Sequence, residues 1–184
     1  MDHYIDVTIK PDAEMRENVL LNKVYTKLHK ALCTLQATDL GVSFPKYTVK
    51  LGKVLRIHGT SKRLMELQDL NWLGGLVGYC GKLFIQAIPE DGVSSRTVSR
   101  KQANMTMAKL RRLIRRGSIP ESEIKKYKAK MFSQGIDNPY LELKSGSSGH
   151  KHRRYLSFGQ LNGRLKNGHF DQFGFSKDAT IPWF

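Results

Sequence analysis

The sequence lacks several features that would assign it at once to a common class of protein. It has only two cysteines, Cys33 and Cys80, and no Cys-x-x-Cys, His-Glu-x-x-His or Walker-type glycine loop. No apolar run approaches the roughly 20 residues that span a bilayer, and there is no signal peptide or lipidation motif. These gaps argue against zinc chemistry, nucleotide hydrolysis and membrane insertion. We expect a cytoplasmic protein with both cysteines in its core.

Acidic residues are also scarce. The chain has 16 Asp and Glu against 31 Lys and Arg, a net charge of +15. The stretch from Ser94 to Arg116 contains no acid at all but has eight cations, namely Arg96, Arg100, Lys101, Lys109, Arg111, Arg112, Arg115 and Arg116. This imbalance favours a nucleic-acid partner, with a membrane surface as the competing polyanion.

The second part of this basic stretch has the pattern of a helix. Its apolar residues recur at helical spacing, and they are Met107, Leu110, Leu113 and Ile114. The cations on the other side of the wheel are Arg111, Arg112, Arg115 and Arg116. Like charges three or four residues apart repel one another, so an external polyanion is the simplest reason to keep them. The alternative is an ordinary solvated surface helix.

The fold class predicted from the patterning is α+β. The first half has the order strand, helix, strand, strand, helix, strand, which is the βαββαβ arrangement of a ferredoxin-like domain. Asp12 is the expected cap of the first helix. A turn at 89–92 predicts a boundary between this domain, 1–92, and a smaller α/β domain, 93–184, that carries the arginine-rich helix.

The second half contains further local signals. A helix is predicted from Pro120, strands at 139–143 and 150–156, and a Ser/Gly loop at 145–149 between them. The apolar end of the chain, 170–184, is expected to plug a core. The strand at 53–58 has no aromatic residue, so base stacking on the sheet, as in RNA-recognition domains, is not supported.

Histidine supplies the main candidate for chemistry. His29 lies beside the apolar stripe of its helix, where it is either an ordinary flanking histidine or a general base. RNA carries its own nucleophile, the 2′-hydroxyl, so cleavage by such a base needs no metal. The Ser/Gly loop is either a phosphate-positioning element or a flexible connection. His150 and His152 share a strand face and could form half of a metal site, but a third ligand is not evident.

Several motifs in matching order carry a resemblance to a known family. They are residues 1–6, 27–32, 41–45, 98–103, 110–116, 145–149 and 182–184. The sequence resembles, from end to end, the type I-F CRISPR-associated crRNA-processing endoribonucleases, known as Csy-four or Cas-six-f. The resemblance implies a ferredoxin-like domain, and a second domain that presents an arginine helix to the major groove of a repeat stem-loop.

The resemblance also implies roles for individual residues. His29 matches the family's catalytic base, and Ser145 and Ser147 match serines of the loop, the first of which helps to place the 2′-hydroxyl. Arg100 and Gln102 match a pair that reads bases low in the stem. The phosphate-binding arginines are matched by Arg112, Arg115 and Arg116, with Arg111 beside them.

Two family positions differ. His152 stands for a phenylalanine that stacks on the terminal base pair, and Phe173 stands for a tyrosine, so that a hydroxyl near His29 is missing.

The predicted function is a metal-independent endoribonuclease without a cofactor, acting on precursor CRISPR RNA. Attack by the 2′-hydroxyl would leave a 5′-hydroxyl and a 2′,3′-cyclic phosphate or 3′-phosphate. The resemblance further implies a monomer that keeps its product and joins the type I-F surveillance complex. The alternatives are a non-catalytic RNA-hairpin-binding subunit, and a basic structural protein that binds any polyanion.

Overall fold

The computed structural model describes residues 1–102, 107–133, 138–144 and 149–184. The strands in these parts are β1 (His3–Thr8), β2 (Gly41–Ser43), β3 (Val54–Gly59), β4 (Ile85–Ala87), β5 (Ser94–Arg96), β6 (Val98–Lys101), β7 (Tyr140–Lys144), β8 (Lys151–Phe158) and β9 (Ile181–Trp183). The helices are α1 (Glu17–Thr34), α2 (Ser61–Asp69), α3 (Met107–Arg115) and α4 (Glu121–Ser133), with a 3-10 helix at Gly74–Tyr79. This mixture of helices and antiparallel sheets confirms the α+β prediction. Across these parts, none of the helices combines the length and the apolarity that a bilayer crossing requires.

Three sheets organise the chain. The first has the order β2-β3-β1-β4, and each pair of neighbours in it is antiparallel. The second pairs β5 with β9, and the third has the order β6-β8-β7, again antiparallel. The first sheet and the helices between its strands belong to the first half of the sequence. The third sheet is formed by the second half.

Helix α1 joins these parts. It buries Leu21, Val24, Leu28 and Leu32 at a spacing of three or four residues, as the sequence predicted. Beside this buried stripe, the Asn22 Oδ1 atom of α1 accepts a hydrogen bond from the backbone N–H of Glu142 on β7, at 3.0 Å. The third sheet is therefore anchored directly to α1.

The predicted cap of α1 is wrong. The helix begins at Glu17, and Arg16 precedes it without a side-chain cap. The Asp12 carboxylate instead accepts from the backbone N–H groups of Glu14 and Met15, at 3.0 and 2.7 Å. Asp12 therefore closes a turn of its own, which is the other structure that aspartate favours.

A single cluster of buried apolar side chains runs through both halves of the chain. It includes Leu28 and Ile57 from the first half and Leu156 and Phe175 from the second. The end of the chain is part of it, as predicted, because Ile181 on β9 is 1% exposed and packs against β2. The core thus brings residues near the C-terminus against α1 and β2.

Candidate active site

His29 is half buried on α1, beside the apolar stripe, as the sequence predicted. Asn22, Thr26, His29 and Cys33 follow one another along one line of this helix. The Nδ1 atom of His29 lies 2.8 Å from the carbonyl oxygen of Gln172. A carbonyl only accepts hydrogen bonds, so Nδ1 carries the hydrogen and the neutral ring has its lone pair on Nε2. His29 is therefore in the tautomer that can take up a proton at Nε2.

The imidazole of His29 is stacked on Phe173. The ring centroids are 3.8 Å apart and the planes differ by 11°. The guanidinium carbon of Arg154 lies 3.5 Å from the centroid of the same Phe173 ring. Two groups this close to one centroid would overlap on the same face, so they cover opposite faces. Phe173 is thus held between the histidine and the arginine, and RNA could reach only its edge.

A tight loop at 171–175 fixes the position of Phe173. The Asp171 Oδ1 atom accepts from the backbone N–H groups of Phe173 and Phe175, each at 2.9 Å. The Tyr25 hydroxyl of α1 donates to the carbonyl oxygen of Phe173 at 2.7 Å. Burial raises the pKa of the Tyr25 phenol well above its usual value, so this donor keeps its proton.

Glycine is required at the centre of this loop. Gly174 has a φ of +73°, and a Cβ atom there would lie 2.4 Å from Cγ2 of Val42 on β2. The backbone N–H of Val42 donates to the Gly174 carbonyl at 2.8 Å. The loop is therefore docked on the first sheet and presents both the carbonyl and the ring that orient His29.

Cys33 was predicted to be a core residue, and this prediction is wrong. Cys80 is buried, but Cys33 is only partly so. The Sγ atom of Cys33 lies 3.7 Å from Nδ1 of His29 and 3.7 Å from Oε1 of Gln172. The position falls one turn after His29 on the same line of α1, which explains why it meets the site rather than the core.

Arg154 is a candidate site residue that the sequence analysis missed. It is 8% exposed, and its Nε atom is buried without a hydrogen-bond partner. No carboxylate in the described parts of the chain lies within ion-pair distance of it. Burial, and then the nearby charge of Arg100, lower the pKa of the guanidinium. The alternation of side chains along β8 could have indicated that Arg154 points inward, but it could not have indicated that the arginine packs on Phe173.

The third sheet places several predicted RNA-binding residues around this stack. Arg100 on β6 is opposite Leu156 on β8, and opposed residues of antiparallel strands share a face. His152, Arg154 and Leu156 alternate along β8 and therefore also share it. Arg100, His152 and Gln102, the residue that follows β6, are exposed.

Helix α3 presents its cations to solvent. Leu110 is its buried residue, at 1% exposure. Arg111, Arg112 and Arg115, and Arg116 just after the helix, are exposed. Among the described residues, no ion pair involves these four arginines, and no hydrogen bond joins their side chains to the His29 site. The structure thus assembles His29, Phe173, Arg154 and Arg100, and leaves α3 as a separate basic surface.

The remaining predicted site residues have a different status. Ser145 and Ser147 lie outside the described residues, between Lys144 at the end of β7 and Gly149. His150 and His152 are exposed near the start of β8. Within the described parts, no group of three or more His, Cys, Asp or Glu side chains is arranged to hold a metal ion.

The fold and the site define a basic α+β protein with a pre-oriented histidine beside unpaired cations. The sequence profile of the family described as CRISPR-associated protein (Cas_Csy4) matches residues 4–184. A CRISPR-associated endonuclease Cas6/Csy4 of Escherichia coli (strain UTI89 / UPEC) is 35% identical over 185 residues, covering 100% of both chains. The protein of the same name from Pseudomonas aeruginosa (strain UCBPP-PA14) is 34% identical over 188 residues, again covering 100% of both.

The chain therefore belongs to the CRISPR-associated Cas_Csy4 family. The family resemblance stated from the sequence is confirmed, and so is the prediction of a CRISPR-associated endonuclease. The assignments of individual site residues stay predictions.

Proposed function

We propose that this chain is a metal-independent endoribonuclease that binds the repeat stem-loop of precursor CRISPR RNA and cleaves it by attack of a 2′-hydroxyl on the adjacent phosphate. Family membership supports the substrate class. The observation that carries the chemistry is the 2.8 Å contact between Nδ1 of His29 and the Gln172 carbonyl, which leaves Nε2 as a base.

The proposed reaction needs no external nucleophile. His29 takes the proton of the 2′-hydroxyl at Nε2 while that oxygen attacks phosphorus. The bond from phosphorus to the 5′-oxygen breaks, and the leaving oxygen acquires a proton to become a 5′-hydroxyl. The other end is a 2′,3′-cyclic phosphate, which hydrolysis opens to a 3′-phosphate. Ser145 and Ser147 are proposed to hold the sugar and the phosphate in line.

The basic residues are proposed to bind the hairpin. The exposed arginines of α3 and Arg116 suit phosphate oxygens, since the guanidinium fork can make two parallel bonds. Arg100 and Gln102 are proposed to read base edges low in the stem, and His152 to stack on the terminal base pair. The shared sheet face of Arg100, Arg154 and His152 supports placing the stem base next to His29.

The finer assignments of fold and assembly are part of the same proposal. The order β2-β3-β1-β4, with every neighbour antiparallel, supports a ferredoxin-like domain at 1–92. Residues 93–184 then form the RNA-hairpin-binding domain with its arginine-rich helix. We propose a cytoplasmic monomer that keeps its cleaved RNA and joins the subunits of the type I-F surveillance complex.

Cleavage of the cognate repeat hairpin in EDTA tests this function. We expect the wild-type protein to cut under these conditions and the His29→Ala variant to cut about 10²–10⁴-fold more slowly. The affinity of this variant for the hairpin should stay within a few-fold, because a general base acts on the transition state.

A hairpin with a 2′-deoxy sugar just upstream of the scissile phosphate is the matched substrate control. It should bind as tightly as the normal hairpin and remain intact. Cutting of this hairpin would identify water as the nucleophile and disprove the mechanism. A wild-type protein that binds the normal hairpin and leaves it intact would instead be the non-catalytic subunit.

A further inference from the structure

A second basic surface runs along α1 from Asn18 to Lys30. It is a groove of about 510 Å³ between α1, the 3-10 helix and the adjacent ends of β7 and β8. Five lysines line it, namely Lys23, Lys27, Lys30, Lys144 and Lys151. None of them has a role in the function proposed above. We call this surface the lysine groove.

The charge of the lysine groove is poorly compensated from within. Glu142 is the one acid in its lining, and it pairs with Lys151 at 3.7 Å. In the parts of the chain that are described, no carboxylate comes within ion-pair distance of the other four lysines. Lys23, Lys27 and Lys30 also follow one another at i, i+4 and i+7, so they repel along one line of the helix. An external anion would relieve this repulsion.

The lysine groove is in line with the candidate base. Its lining includes Asn22 and Thr26, and the same line of α1 continues to His29 one turn later. On its other side, Lys144 is the last residue before the loop at 145–148, which contains the two proposed positioning serines. A strand that leaves the scissile position along this line of α1 would therefore run into the groove.

The floor of the groove is apolar rather than charged. Val19 is 43% exposed there, and Leu76 of the 3-10 helix is partly buried beside it. The lining contains no aromatic side chain for stacking, and the amide oxygen of Asn22 in it already accepts the backbone N–H of Glu142. This combination suits the backbone of a single strand, bound without regard to its sequence. The i, i+7 separation of Lys23 and Lys30 extends this contact over roughly 10 Å of helix.

We propose that the lysine groove binds the single-stranded RNA that continues past the scissile phosphate, beyond the stem. The proposal rests on the function proposed above, since it takes His29 as the site of cleavage. An acidic protein segment would satisfy the same charges, but alignment of the groove with His29 favours the RNA strand. The groove gives the enzyme a contact with the substrate that is independent of the hairpin.

Binding to two RNAs tests the proposal. Both carry the hairpin with a 2′-deoxy sugar at the cleavage position, and one continues about ten nucleotides beyond that position while the other ends there. We expect the wild-type protein to bind the extended RNA about tenfold more tightly at 50 mM salt. The salt slope should be steeper by about 2, because single-stranded contacts contribute roughly 0.7 each.

Two matched variants each remove three positive charges, one inside the lysine groove and one outside it. Replacing Lys23, Lys27 and Lys30 by glutamine keeps good helix formers on α1 and should abolish the gain from the extension without weakening binding of the short hairpin. The control replaces Lys62, Lys82 and Lys166, which are exposed and lie outside the groove, by glutamine. This control variant should still bind the extended RNA about tenfold more tightly than the short hairpin.

Two results would overturn the proposal: no gain from the extension with the wild-type protein, or a full gain with the groove variant. An acidic protein occupant would give the first of these results, because the groove would then add nothing to RNA binding. Failure of the function proposed above looks different, since the wild-type protein would then fail to bind the short hairpin or to cut the ribose form of the extended RNA.

Discussion

The cation at Arg154 is costly where it lies. A buried charge without an ion-pair partner loses its hydration, and the contact with the face of Phe173 offsets only part of this cost. Replacing such a charge by an apolar side chain of similar size is often neutral or stabilising. The guanidinium is only roughly 7 Å from the His29 ring, across the Phe173 ring. Cleavage adds negative charge at the phosphate in the transition state. We infer that Arg154 is kept as a positioning residue that also supplies a positive field at the site.

Arg154→Met separates these effects on stability and on rate. We expect the variant to unfold at the same temperature as the wild-type protein or a higher one, because an unpaired charge is removed. Its cleavage rate should fall about tenfold, because the site loses a positive charge near the charge that develops on the phosphate, and one unit charge within about 10 Å at an effective dielectric constant of about 20 is worth more than about 1 kcal/mol. Thermal denaturation and single-turnover cleavage at saturating protein measure the two quantities.

Arg154→Lys is the companion variant. It keeps the charge but loses the planar group that covers Phe173, so we expect an intermediate rate. A Met variant that cleaves at the wild-type rate would show that the charge has no part in the reaction. If the Met variant instead unfolds at a lower temperature and also cleaves more slowly, Arg154 acts through packing alone.

At the scale of elements, α3 is the clearest external surface. A short helix that buries one leucine, Leu110, and exposes its arginines gains little from the core, so its sequence is better explained by what it contacts. Phosphate binding of this kind is strongly dependent on salt, because each contact releases counterions.

If α3 and its neighbours engage about six phosphates, hairpin affinity should fall roughly 10³-fold or more between 50 and 200 mM salt. Replacing Arg115 and Arg116 by alanine should lower the salt slope by about 2. Fluorescence anisotropy titrations across this range measure it, with the Lys62→Ala, Lys82→Ala double variant as the control of equal charge. An unchanged slope in the arginine variant would mean that this helix faces away from the RNA.

The elements differ in how far the sequence could predict them. α1, α2 and β3 have local periodicity, and the patterns predicted them near their observed bounds. β5, β6 and β9 are three or four residues long and exist because distant segments pair, as Arg96 does with Ile181. Local pattern cannot show such a pairing. The site is divided in the same way, since His29 could be predicted from α1, whereas the loop at 171–175 that orients it depends on the folded core.

At the scale of the whole molecule, one core serves both halves. The buried cluster contains side chains from α1 and β3 together with side chains from β8 and β9. Halves that share a core lose their packing together, so we expect a single cooperative unfolding transition despite the predicted boundary at 92.

The two tryptophans provide the test, since Trp72 follows α2 and Trp183 is on β9. In urea, fluorescence of the Trp183→Phe variant reports on the first half, and that of Trp72→Phe reports on the second. We expect each fluorescence midpoint to coincide with the midpoint from far-ultraviolet circular dichroism of the same variant. Separated midpoints would show that the halves are independent units.

The hydrogen bond that orients His29 joins residues 143 positions apart. During synthesis, the histidine and the first sheet leave the ribosome long before Gln172 and Phe173 do. A nascent chain that has reached β8 already carries most of its cations, but its imidazole has neither the carbonyl nor the ring that fix it. If His29 is the base, as proposed, the site is completed only when residues near the end of the chain join the core, so a chain that stops before Gln172 would be unable to cut.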